Sequence, residues 1–167
     1  MGGDTPADDL NRLRQHIIAN EGWRRDAYAD SAGIPTVGVG FNLRRQDAPA
    51  RIAALGLSYD EVAAGTQRLT DDQIDRLFTA DLEATLAGVA ALVPGFLALT
   101  LARRIALVDM AFNLGLGGLG RFKRLLAAID RGDWEGAEAE IVDSLYFRQV
   151  PGRAKRNARA IRTGALS

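Results

Sequence analysis

The 167-residue chain has no cysteine and one histidine, His16. Without thiols there is neither a disulfide framework nor a sulfur nucleophile. With one imidazole and no thiolate, the usual ligands of a zinc site are missing, so neither a metal nor another cofactor is expected. His16 falls on the polar side of the first helical pattern and reads as a solvated surface residue. No apolar run approaches the length of a membrane span. The N-terminus, Met1-Gly-Gly-Asp-Thr-Pro6, lacks the charged and apolar regions of a signal peptide. Internal repeats and low-complexity linkers are also missing.

What remains is a globular composition, with 47% hydrophobic and 25% charged residues, enough for one domain or for two small lobes sharing a helix. The most informative stretch runs from Glu21-Gly22 through Asp30 to Ser31-Ala-Gly-Ile-Pro-Thr36-Val-Gly-Val-Gly40. Thr5-Pro6-Ala7-Asp8 reads as a capping box with proline at the first helical position. Leu10, Leu13 and Ile17 then recur at helical spacing, and Ile18 widens that face. Gly22 is a left-handed stop that puts Glu21 in or just past the last turn. Ala27-Tyr28-Ala29 and Thr36–Gly40 read as short strands joined through a turn at Ser31-Ala32-Gly33, with Pro35 at a strand start.

Asp30 and Thr36 then meet at the neck of a hairpin, and Glu21 faces them from the helix end. Two carboxyls and a hydroxyl so placed suit acid/base cleavage of an acetal. Glu21, at the negative end of a helix dipole and next to Trp23, suits the proton donor. Asp30, on an exposed hairpin, suits the base. Acidic residues near turns are also common surface charges, and the spacing alone leaves that reading open.

Beyond the hairpin the pattern is helical. Ala48–Leu55 and Tyr59–Ala64 read as short helices, the second opened by the capping box Ser58-Tyr-Asp-Glu61. Thr70-Asp-Asp-Gln73 opens a long helix with Ile74, Leu77, Phe78, Leu82, Leu86 and Val89 on one stripe, ended by Pro94. Further helices are expected at Leu101–Leu114, Leu119–Asp130, Trp134–Asp143 and Gly152–Arg162, with Thr100 and Asp133 as N-caps. Gly115-Leu-Gly-Gly-Leu-Gly120 matches a dinucleotide fingerprint, but it follows a helix where that motif needs a strand; it reads as a helix–helix turn. Phe112 and Trp134 read first as core residues.

Glu21-Gly22, Tyr28, Asp30, Gly33, Thr36 and Gly38-Val-Gly40 resemble the signature of the phage-type lysozymes, glycoside hydrolase family twenty-four. The likeness continues through Leu69–Phe78, Ala111-Phe-Asn-Leu-Gly115, Arg153-Ala-Lys-Arg156 and Arg162-Thr-Gly164, in one order over nearly the whole chain. The resemblance implies a mainly α, lysozyme-like α+β fold. In it a first helix and hairpin lobe (about 1–70) is joined by a connecting helix (about 71–93) to a helical lobe (about 94–167). It implies a monomeric muramidase that cuts the N-acetylmuramic acid to N-acetylglucosamine bond of bacterial peptidoglycan with inversion. Residue by residue, it makes Glu21 the proton donor, and Asp30 and Thr36 the groups that position water. It makes Arg153 the cation pairing with Glu21, and Asn42, Phe112 and Asn113 substrate contacts. One departure is Phe41, where the family's best-known member carries a structural histidine; the change bears on a stabilising ion pair and not on chemistry.

From Ser144 onward there are six cations (Arg148, Arg153, Lys155, Arg156, Arg159, Arg162) and no acids. They read as a solvated helix face, and secondarily as an attraction to the anionic wall. Nucleic acid is disfavoured, because the chain is neutral overall and the cluster lacks interleaved aromatics. A wall enzyme without a signal peptide is expected to be made in the cytoplasm of a bacterial host and to reach the wall by release or delivery. Two rivals remain: a wall-binding module that has lost catalysis, and a lytic transglycosylase, which needs an acid but no water-positioning Asp and Thr.

Overall fold

The computed structural model describes residues 6–166, so the threonine of the expected first capping box lies outside the described residues. Along the chain run α1 (Pro6–Glu21), β1 (Arg24–Ala29), β2 (Pro35–Gly38), β3 (Phe41–Asn42), α2 (Ala48–Ala53), α3 (Tyr59–Ala63) and α4 (Asp71–Leu92). A 3-10 turn at Phe96–Ala98 leads into α5 (Leu101–Leu114), α6 (Leu116–Gly120), α7 (Lys123–Asp130), α8 (Trp134–Val142), α9 (Leu145–Gln149) and α10 (Pro151–Thr163). This is the expected fold class, mainly helical with a small antiparallel sheet. The chain divides into two compact units, Ile17–Leu82 and the remainder, with the divisions falling inside α1 and α4.

In the Ile17–Leu82 unit the sheet order is β1-β2-β3. Tyr28 pairs with Thr36 and Thr36 with Asn42, so three polar side chains stand abreast on one face. Val37, Val39, Phe41, Leu43, Ile52, Leu69, Ile74 and Phe78 are buried and form the core that carries the sheet. Phe41 is 2% exposed and lies under two arginines. The guanidinium groups of Arg45 and Arg51 lie 4.8 and 5.8 Å from its ring centre, and both are paired to Asp81, at 2.8 and 3.2 Å. Phe41 thus offers buried aromatic surface and a face for cation–π attraction. At the start of α4 the capping box is reciprocal: Thr70 Oγ1 accepts from the Gln73 N–H, and Gln73 Oε1 accepts from the Thr70 N–H.

In the other unit α5 is the central helix. Ile105, Ala106, Leu107, Val108 and Met110 are all buried, which leaves no polar stripe over that stretch and calls for cover on every side. Helix α10 packs on α5 and α8, and α7 packs on α8. Thr100 and Asp133 cap α5 and α8 as expected, accepting from the N–H of Arg103 and Gly136.

The structure corrects three expectations here. The helix expected over Leu119–Asp130 is two helices, α6 and α7, parted by Arg121 and Phe122. Gly115–Gly120, expected as a turn, is mostly α6, opened by Gly115 at φ 73°. Its glycines are poor helix formers, but Leu119 is fully buried and Leu116 folds onto Gly88, where a Cβ would stand 2.2 Å from Leu116 Cδ1. Tertiary anchoring outweighs propensity. Finally, α9 was not foreseen, although Ser144 caps it through the Phe147 N–H at 3.1 Å.

Candidate active site

Glu21, Asp30, Thr36 and Asn42 all lie in the Ile17–Leu82 unit. Glu21 is the last residue of α1 and is half-buried. Gly22, at φ 84°, ends the helix and donates its N–H to Ile18 O at 2.8 Å. The chain returns past Glu21 at Gly40, φ 67°, where a Cβ would stand 2.9 Å from Glu21 Oε2 and 3.2 Å from Cδ. Only glycine permits both this backbone conformation and this approach. The Gly40 backbone therefore forms one wall of the Glu21 carboxyl site.

The hairpin holds the other groups through a single residue. Asp30 Oδ1 accepts the N–H groups of Ala32 and Ile34, both at 2.8 Å. Ile34 O accepts the Asp30 N–H at 3.0 Å and the Thr36 hydroxyl at 2.9 Å. One Asp30 oxygen is thus pinned, while Oδ2 accepts no hydrogen bond among the described residues. Thr36 is 3% exposed; with its proton committed to Ile34, its hydroxyl retains lone pairs to offer. Asn42 Oδ1 accepts the Arg44 N–H at 2.7 Å, which leaves the amide NH₂ as its donor.

Tyr28, to which the sequence reading gave no role, stands opposite Thr36. Burial holds its hydroxyl above the usual phenol range, the carboxylates of Glu21 and Asp30 push the same way, and Arg24, 4.7 Å from its ring centre, opposes them. Both carboxylates thus act on one phenol. Trp23, expected beside Glu21, donates its indole N–H to Asp71 Oδ1 at 3.0 Å.

Phe112, Asn113 and Arg153 belong to the other unit. Phe112 is half-buried and Asn113 exposed in the last turn of α5. Arg153 is engaged by Asp109: Nε donates to Oδ2 at 2.9 Å, and Nη2 to Oδ1 at 2.8 Å and to the Asp109 carbonyl at 3.3 Å. Asn157 adds a bond to Oδ2 at 2.7 Å and donates to the Tyr146 hydroxyl at 2.9 Å. Burial, with Asp109 adding to it, pushes Tyr146 up to about 12. The sequence reading missed Asp109. Its signal was an acid alone within the apolar run Ile105–Ala111.

His16 is corrected as well. Its side chain is 23% exposed, and Nε2 is buried, 3.9 Å from Asp109 Oδ1, with no hydrogen-bond partner among the described residues. Burial lowers its pKa below 6.5; Arg153 and Arg156 push the same way, and Asp109 opposes. Among the described residues no group of three or more His, Cys, Asp or Glu could hold a metal ion, and no helix is long and apolar enough to cross a membrane.

The phage lysozyme family model matches residues 19–159. The chain is 32% identical over 174 residues to the pre-baseplate central spike protein Gp5 of Enterobacteria phage T4, an alignment covering 98% of this chain and 30% of that protein. It is 26% identical over 166 residues to the probable T4-type lysozyme 1 of Dictyostelium discoideum, covering 95% and 98%. With the peptidoglycan hydrolase gp36 of Pseudomonas phage phiKMV it shares 27% identity over 147 residues, covering 88% of this chain and 15% of that protein. The chain thus spans less than a third of the two longer relatives and nearly all of the third.

Two measurements test this geometry. Gly33 shares the left-handed backbone (φ 74°) but has nothing within 4 Å of an added Cβ. Gly33→Ala should therefore cost only the backbone penalty, about 1–2 kcal/mol. Gly40→Ala should cost clearly more in thermal or urea unfolding, because it also displaces Glu21; equal losses would refute the close approach. For His16, the unfolded chain binds the proton more readily than the folded one. Its contribution to stability is therefore intact above pH 6.5 and lost as pH falls through the lowered value. The wild-type Tm should drop more than that of His16→Gln between about pH 7 and 5. Parallel curves would mean that His16 does not titrate in the fold as described.

Proposed function

Because the chain belongs to the phage lysozyme family, we propose that it is a peptidoglycan hydrolase cleaving the β-1,4 bond between N-acetylmuramic acid and N-acetylglucosamine. The observation that carries this reading is the pairing of a carboxyl walled by Gly40 with a second one whose Oδ1 is pinned by two backbone N–H groups and whose Oδ2 is left for a ligand. In the proposed reaction Glu21 gives its proton to the glycosidic oxygen as the bond from that oxygen to the anomeric carbon breaks. A water attacks the same carbon from the opposite face and loses its proton to Asp30, giving two chains, one with a new reducing end. Thr36, its own proton held by Ile34, accepts one hydrogen of that water while Asp30 accepts the other. The water's lone pair is then aimed at carbon.

Preorganisation supports this division of labour. Asp30 and Thr36 are oriented by backbone groups of the same turn, with Ile34 common to both, before any substrate arrives, so little reorganisation is left for the reaction itself. Asn42, beside Thr36 on the same sheet face, is proposed to contact the sugar through its NH₂, and Phe112 and Asn113 are further substrate contacts implied by the resemblance. Arg153 is proposed to pair with Glu21 as the family pattern implies. The proposed partner is bacterial peptidoglycan, met by a monomer.

Glu21→Gln keeps the side chain's shape but has no proton to give. It should reduce lysis of purified wall by about 10²–10⁴ with the fold intact by circular dichroism; near-normal turbidity loss would remove Glu21 from the mechanism. The products discriminate further. New reducing ends fit hydrolysis, anhydro ends a transglycosylase, and no release a binding module. Attack by water implies carboxyls about 6.5–9.5 Å apart and an inverted product. NMR of freshly released ends, read before mutarotation, should therefore show the α-anomer first. A first-formed β-anomer would withdraw the water-positioning roles of Asp30 and Thr36.

A further inference from the structure

We propose that Tyr28 is a substrate-binding residue whose hydroxyl donates a hydrogen bond to the sugar held over the sheet face of Thr36 and Asn42; this rests on the functional reading above and adds a contact to the same site. Tyr28 stands directly across from Thr36 in the β1–β2 pairing, and Thr36 directly across from Asn42. Directly opposed residues of antiparallel strands project to the same face, so phenol, hydroxyl and amide form one polar row. Asp30 follows Tyr28 by two residues, where its N–H extends the pairing to Ile34 O. The whole row, with Glu21 and Asp30, belongs to the Ile17–Leu82 unit.

The three members of the row differ in what folding leaves them to offer. Thr36 has committed its proton to Ile34 O, and Asn42 its amide oxygen to the Arg44 N–H. The Tyr28 hydroxyl makes no hydrogen bond among the described residues, although the residue is half-buried. Its proton is therefore available to a sugar oxygen. The Arg24 guanidinium, 4.7 Å from the ring centre, covers one ring face and steadies it. Burial, and then the Glu21 and Asp30 carboxylates, hold the phenol above its usual range, with Arg24 opposing. A phenol that stays neutral beside two carboxylates serves as a donor and not as a base, and the hydroxyl and carbonyl oxygens of an N-acetylated sugar are acceptors. Packing alone would be served by phenylalanine.

The test is Tyr28→Phe in the full chain, which keeps the ring and its Arg24 contact and removes only the hydroxyl. The probe is a soluble glycan chain of alternating N-acetylglucosamine and N-acetylmuramic acid, titrated calorimetrically into Glu21→Gln with and without Tyr28→Phe. Loss of one neutral hydrogen bond to the sugar should weaken binding by about 3–10-fold. In the otherwise unaltered enzyme, Tyr28→Phe should raise KM for the same chains by a similar factor. There kcat and both limbs of the pH profile should stay where they are, the pattern of a contact made equally in ground and transition states. Equal affinities with and without the hydroxyl would overturn the proposal, as would a lowered Tm with KM unchanged. A loss confined to kcat, or a moved limb, would overturn it too, because the phenol would then act on Glu21 or Asp30 and not on the sugar. Should Tyr28→Phe fail to fold, the NMR signal of the Tyr28 Cζ carbon in Glu21→Gln decides. It reports the phenol's hydrogen bonding and should shift on saturation with the glycan; an unmoved signal would overturn the proposal. Hydroxyl-dependent binding in a wild type that does not hydrolyse the wall would leave the contact standing and overturn the catalytic reading instead.

Discussion

The backbone of Ile34 holds the hairpin side of the candidate site together. Its N–H orients Asp30, and its carbonyl receives both the Asp30 N–H and the Thr36 hydroxyl. Because the two peptide groups flanking one residue serve both side chains, neither depends on a long flexible side chain finding its place. Gly40 imposes the complementary constraint on Glu21, since backbone and carboxyl meet where no side chain fits. The two constraints lie at opposite ends of the short segment Ile34–Gly40, so the strand register that aligns Thr36 with Tyr28 and Asn42 also fixes the Gly40 wall.

Each compact unit handles charge differently. Around the hairpin Glu21 and Asp30 are half-buried and Asp30 is held by backbone donors, while arginines gather over Phe41 and pair with Asp81. In the other unit Asp109 is wholly buried and accepts hydrogen bonds from Arg153 and Asn157. A buried ion pair is not in itself a strong stabiliser, since desolvation offsets attraction. Its specificity is the stronger reason for its presence, because the fork admits one orientation of one side chain. His16 lies at the edge of this cluster, near enough to Asp109 to feel its charge and too buried to protonate readily.

Local grammar explains why much of the fold was legible. Thr70 with Gln73, Ser58 with Glu61, Thr100 and Asp133 all cap where their neighbours in sequence say they should, because a cap depends on atoms within four residues. Gly22 and Gly33 mark left-handed turns for the same reason, and the stripe from Ile74 to Val89 follows from helical periodicity alone. Legibility fails where packing overrides the local signal. The glycines of α6 argue for a turn, yet Leu116 seated over Gly88 and the buried Leu119 make a helix of it. His16 was assigned to the polar face of α1 on the same periodicity, and its half-buried place beside Asp109 depends on a helix almost a hundred residues away in the chain.

By itself, then, the sequence determined the turn-and-helix-end chemistry: Glu21 closing a helix, Asp30 opening a turn, Thr36 entering a strand, and the family order of these motifs. Each depends on short-range sterics and hydrogen bonds, which neighbouring residues decide. Tertiary structure alone decided that Gly40 presses on Glu21 and that Asp109 captures Arg153. Those contacts depend on which distant backbones approach and which groups lose water. A carboxylate reads the same in sequence whether solvated or buried; only packing determines which one it is.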